Sequence, residues 1–152
     1  MQKVLTHITA VRPQHIAFGA KLGLDLQGCS AGVARARIDA LIAREFDGVD
    51  PRAPTPKQVA LAAKFGWNIA SCSREEGEAV ITDLMQQLNI ETVEQESLAP
   101  GVEVQNIHDT LPKTYLISTI QKDGTVFFKG GNGRKAYARS LRSLKNVASN
   151  VK

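Results

Sequence analysis

Apolar positions in the first half of the chain recur at helical spacing. Ile16, Ala17 and Ala20, and again Val59, Ala60 and Ala63, stand three and four residues apart, the interval that puts side chains on one helix face. Pro13 and Pro56 precede them, where a first helical turn tolerates a missing N–H. Gly23 and Gly66 follow, where a chain leaves a helix through a left-handed residue. Next come LDLQGC and WNIASC, whose alternating apolar residues predict a short extended link. Ser30 and Ser73 then cap second helices, Ser73 together with Glu76 in the pattern of a capping box. These helices are expected to bury Val33, Ile38, Leu41 and Ile42 in one case, and Ala79, Ile81, Leu84, Met85 and Leu88 in the other.

The two hairpins are written in nearly the same letters. A shift of 43 residues aligns 12–42 with 55–85 without a gap, with ten identical pairs that include Pro13/Pro56, Gly23/Gly66, Cys29/Cys72 and Ser30/Ser73. Matching punctuation as well as matching helix faces points to duplication. One copy is too small to enclose a core, so the two are expected to pack together, about a pseudo-twofold axis.

The period changes after residue 90. NIETVEQESLAPG is acidic and ends in Pro-Gly, which predicts a linker or surface loop. GVEVQNI, TYLISTIQ and TVFFK alternate like strands, and Asp123-Gly124 supplies a turn between the last two. The remainder, KGGNGRKAYARSLRSLKNVASNVK, reads as a glycine turn opening a helix. That helix would carry Tyr137, Leu141, Leu144, Ala148 and Val151 on one face, and Lys135, Arg139 and Arg142 on the other, flanked by Arg134 and Lys145. The expected fold class is α+β, mainly α: duplicated helix–extended–helix hairpins, a small antiparallel β-meander and a basic C-terminal helix. The expected domains are a duplicated helical domain over 1–90, an acidic linker or loop over 91–112, and a basic unit over 113–152.

Charge sharpens this division. Residues 1–50, 51–112 and 113–152 carry formal charges of +1, −5 and +8. Nine Lys/Arg against one Asp in the last forty residues make that end attractive to polyanions. The candidate nucleic-acid-binding residues are therefore Lys129, Arg134, Lys135, Arg139, Arg142 and Lys145. Gly130, Gly131 and Gly133 form a candidate anion-binding loop, because their N–H groups would face an anion at a helix N-terminus. GGNG lacks the Gly-Lys-Ser/Thr ending of a phosphate-binding P-loop.

Few aromatics and many alanines suit helical packing. The chain has no apolar run of about 18 residues and no signal-peptide pattern, so a cytoplasmic protein is expected. Cys29 and Cys72 are read as reduced thiols. His7, His15 and His108 show no ligand spacing, so no metal is expected, and no cofactor. No acid/base pair or nucleophile constellation stands out, which argues against an enzyme.

Two resemblances bear on function. The spacing from Gly to the second helix resembles the helix–extended–helix class of DNA-binding modules that includes SAP-type domains. It implies contacts around the link, where this chain has Lys21, Arg35 and Arg37 in copy one and Lys64 and Arg74 in copy two. Gly131, Gly133, Arg134, Lys135, Ala138 and Leu141 resemble in layout the closing segment of double-stranded-RNA-binding domains. The reading is a non-catalytic accessory protein that binds nucleic acid, DNA or RNA, through its basic end. The alternative is a small protein-binding regulator or inhibitor of a nucleic-acid-processing or defence complex, its acidic middle meeting a basic protein surface.

Overall fold

The structure, a computed structural model, describes residues 2–111 and 113–144. The chain is α+β, with four helices and one five-stranded antiparallel sheet among the described residues. It divides into two compact units, residues 1–84 and 85–152.

The first unit holds α1 (Pro13–Lys21), α2 (Ala31–Glu45), α3 (Pro56–Ala63) and the opening turns of α4 (Arg74–Gln95). Helix starts at 13 and 56, and at 31 and 74, keep the 43-residue offset of the sequence alignment. Hydrogen bonds keep it too. Leu24 N–H donates to Gly19 O at 2.8 Å, and Trp67 N–H to Ala62 O at 3.1 Å. Cys29 N–H donates to Leu26 O and Cys72 N–H to Ile69 O; Gln27 N–H donates to the Asp25 side chain and Ala70 N–H to that of Asn68. Ala31 N–H reaches Thr9 O, and Arg74 N–H reaches Arg52 O, both at 2.8 Å. Gly23 and Gly66 have φ of 82° and 78°, the left-handed conformation that ends α1 and α3.

Caps differ in detail from the expectation. Ser30 Oγ accepts from Val33 N–H and Ser73 Oγ from Glu76 N–H, so both serines cap. The reciprocal capping box, however, belongs to Thr55 and Gln58 at the start of α3. The Glu76 carboxylate is engaged elsewhere. The links supply two large, fully buried side chains, Leu26 and Ile69. Around Leu26, the residues Val11, Ala34 and Ile38 form a core, with Ile16, Leu22, Leu24 and Ile42 against it. α2 buries Val33, Ala34, Ala36, Ile38 and Ala40, while Leu41 and Ile42 are half-buried. Of the residues expected on α4, Leu84 is buried, and Ala79, Ile81, Met85 and Leu88 are only partly so. Close approach of helices favours small residues here: a methyl group on Gly32 would lie 3.4 Å from Ala79 Cβ.

The second unit contains the rest of α4 and strands β1 (Glu103–Asn106), β2 (Tyr115–Ile120), β3 (Thr125–Phe128), β4 (Lys135–Tyr137) and β5 (Leu141–Ser143). Their order is β4-β3-β2-β1-β5. β4 and β5 thus occupy opposite edges, although only Ala138–Ser140, one 3₁₀ turn, joins them. In a flat sheet the edges would be about 19 Å apart, whereas four residue steps reach at most about 14 Å. The sheet therefore curls on itself, and its inner face closes over Val104, Ile117, Val126, Ala138 and Leu141, with Leu98 and Val93 packed against them.

This arrangement corrects the basic C-terminal helix over its described part. Residues 135–143 run strand, 3₁₀ turn, strand. Leu141 and Ser143 pair with Asn106 and Val104, and Lys135–Tyr137 pair with Thr125–Phe127. A helix there would have left the outer hydrogen-bonding edges of both β1 and β3 unpaired, and strand pairing satisfies them. The helical spacing of Tyr137 and Leu141 arises because a single turn separates two short strands. Lys145, Ala148 and Val151 lie outside the described residues. The acidic segment 91–112 is likewise more than a linker, since it carries the last turn of α4 and β1. The division between the two units falls after Leu84, within α4.

Candidate functional site

Six cations were singled out from the sequence, and the five that are described do not share one face of a helix. Lys129, Arg134 and Lys135 are exposed around the turn between β3 and β4. Arg139 sits in the 3₁₀ turn, with its guanidinium 4.3 Å from the centre of the Tyr137 ring and Nη1 donating to Asn89 Oδ1 at 3.3 Å. Arg142, on β5, donates from Nη1 to the carbonyls of Leu141 at 2.7 Å and Arg139 at 3.1 Å. Arg139 and Arg142 thus brace the protein itself. With His108, Glu91 and Gln95 they border a cavity of about 420 Å³ in the second unit.

The glycine loop is a tight β-turn. Gly130, Asn132 and Gly133 take φ of 69°, 50° and 83°. Gly131 N–H donates to Phe128 O and Arg134 N–H to Gly131 O, so Gly131's donor is spent inside the turn. A strand follows it. The helix N-terminus that would have added its dipole to an anion site is not there.

Aromatic side chains accompany the cations. Tyr115 stacks on Phe128 with centroids 4.9 Å apart, and Lys113 Nζ lies 5.4 Å above the Tyr115 ring. The Tyr115 hydroxyl donates to Asp109 Oδ2 at 3.0 Å, and this bond, more than burial, raises its pKa; the charge of Arg134 opposes the rise. Strand register defines a second group. Phe127 pairs with Thr119 and Lys135, and Thr125 pairs with Tyr137. Paired residues point to the same side of a sheet, and residues two apart share that side. Thr119, Phe127, Lys135 and Tyr137 therefore share the outer face, while Val126, Ile120 and Ala136 face the core.

The first unit has a polar cluster that no sequence motif announced. Arg37 Nε is 3.2 Å from Glu76 Oε1, and Arg37 Nη1 donates to Cys29 Sγ at 3.3 Å. Cys72 Sγ donates to Glu76 Oε2 at 3.2 Å. Each cysteine therefore touches one member of the ion pair. Burial first, and the Glu76 bond second, push the Cys72 thiol up to about 11. Burial alone would lower Arg37, but the hydrogen bond and charge of Glu76 outweigh it and the net shift is upward. Nearby, burial raises the Asp83 carboxyl, partly offset by its bond with Ser30. These groups line a cavity of about 560 Å³ with Trp67, whose Nε1 donates to Lys3 O at 2.9 Å. The sequence carries a faint signal for the cluster: at the 43-residue offset Val33 aligns with Glu76 and Arg37 with Val80, so each charged partner stands where the other segment has a valine.

Among the described residues, no group of three or more His, Cys, Asp or Glu is placed to hold a metal, and no helix is long and apolar enough to cross a membrane. Comparison with protein-family models, curated proteins and solved structures finds no significant match.

Proposed function

We propose that the protein binds nucleic acid without catalysis and that the C-terminal unit makes the contact. The observation that carries this reading is the exposure of Lys129, Arg134 and Lys135 around one β-turn, in a forty-residue stretch with a formal charge of +8. A surface of this sign attracts phosphodiesters, and each neutralised phosphate releases counterions, which makes binding fall with salt. Arg139 and Arg142 support the site through the fold, so the test uses the exposed residues. Wild-type protein should bind oligonucleotides at micromolar concentration in about 0.1 M salt. Changing Lys129, Arg134 and Lys135 together to Glu should remove that binding, and single changes should each lower the salt slope by about one unit. Absence of salt-sensitive binding to DNA and RNA alike would remove the reading and bring forward the alternative of a protein-binding regulator.

We further infer that the first unit is a tandem duplication of one helix–extended–helix hairpin. The shared hydrogen bonds at an offset of 43 residues support it, since geometry is repeated even where letters differ, as at Leu24 and Trp67. An experimental structure in which residues 12–42 and 55–85 failed to superpose would refute it.

A further inference from the structure

We propose that the outer face of β3 and β4 is a stacking platform for single-stranded nucleic acid, with Phe127 and Tyr137 receiving bases and Lys129, Arg134 and Lys135 receiving phosphates. The proposal rests on the nucleic-acid reading above and adds the strand state of the ligand. Tyr137 is 49% exposed, a large aromatic outside the core on an edge strand. Phe127, half-buried, stands on the same face one cross-strand diagonal away, a spacing of about 7–8 Å that gives each ring its own neighbourhood. Neither ring packs into the cluster that fills the sheet interior. Lys135 is paired directly with Phe127, and exposed Thr119 borders it on the other side. Lys135 therefore neighbours both aromatics on one strip of sheet, and Lys129 and Arg134 lie in the turn at its end.

A duplex keeps its base faces stacked on one another and offers only phosphates and groove edges. A single strand offers unpaired π-faces as well, and sheets bearing aromatics among cations hold such strands by stacking. The guanidinium of Arg139 stacks on one face of the Tyr137 ring, and about half of the residue's surface stays exposed. Thr125, which pairs with Tyr137 at the end of the strip away from the glycine turn, is itself buried, so the platform ends at Tyr137. Positive charge on that turn then lies where the backbone of a stacked strand would pass.

The probes are 20-mers of dT and of U, and a 20-base-pair DNA duplex, each titrated across a salt series. Wild type should prefer either single strand to the duplex. Tyr137→Leu keeps the bulk of the side chain but removes the π-face; it should weaken single-strand binding about 5- to 100-fold and leave the salt slope as it was, because no phosphate contact is lost. Tyr137→Trp should bind at least as tightly as wild type, and dT should quench its emission beyond any change seen with Trp67 alone. The dT and U arms tell DNA from RNA, and preference for either supports the platform. Salt-sensitive binding that is equal for Tyr137→Leu and wild type, or stronger for duplex than for single strands, overturns the platform while the nucleic-acid reading stands. No binding by wild type removes both.

Discussion

At the residue scale, Cys72 shows how position changes chemistry. A thiol reacts as thiolate, and a pKa raised from 9.0 to about 11 keeps Cys72 protonated at neutral pH. Alkylation of the native protein at pH 8 should therefore be slower at Cys72 than in the unfolded chain, with both cysteines modified once denaturant is added. The same shift carries a pH dependence of stability. Above pH 9 the unfolded chain loses this proton while the folded protein retains it, so the folded state binds more protons and stability falls as pH rises from 9 towards 11. Urea midpoints across that window should decline for wild type. Cys72→Ser, which keeps a donor for Glu76 but does not titrate there, should decline less.

At the element scale, the second half of α4 clamps the sheet's connections through one side chain. Asn89 is buried; its Nδ2 donates to Asp123 O at 3.1 Å, and its Oδ1 accepts from Arg139 N–H at 3.1 Å and from Arg139 Nη1. It thereby holds both the β2–β3 turn and the 3₁₀ turn between β4 and β5. Asn89→Ala leaves part-buried donors of Arg139 and the Asp123 carbonyl without this partner and should cost about 1–3 kcal/mol, with faster exchange of the Arg139 amide. Gly124 is required beside it: φ is 85°, and a methyl group would run into Asn89 Cβ. Gly124→Ala should destabilise by about 3 kcal/mol in urea titration. Stability unchanged in both variants would mean that this clamp is not what orders the turns.

At the scale of the whole molecule, two cores are built by different rules. The first unit buries Leu26 and Ile69 from its two extended links, and the second closes inside a curled sheet. Trp67 is the protein's single tryptophan and lies in the first unit, so its emission reports that core. Leu26→Ala and Ile69→Ala each empty a fully enclosed site at equivalent positions, and each should cost about 2–5 kcal/mol by Trp67-monitored urea unfolding. Similar costs would agree with equivalent roles; a loss below about 1 kcal/mol at one of them would show that the two links share the core unequally.

Local chemistry alone determined the first unit's helix starts, its left-handed glycines, its serine caps and the Asp123-Gly124 turn. These features depend on a residue's own φ preference or on partners three or four places away, and a sequence displays both. The strands β1, β2 and β3 were legible for the same reason, through alternation. What followed the glycine turn was decided by tertiary structure. Tyr137 and Leu141 satisfy a helical period as well as they satisfy two short strands around a 3₁₀ turn, and only the open edges of β3, just before the glycine turn, and of β1, far earlier in the chain, decide between them. That choice moved Arg139 and Arg142 from a supposed binding face into bonds with Asn89 and with backbone carbonyls, and it brought Phe127 and Tyr137 onto one surface. The Arg37–Glu76 pair has the same origin, because its members lie 39 positions apart and meet only when α2 and the start of α4 come together. Pairing across such distances depends on where whole elements come to rest, which no local period encodes.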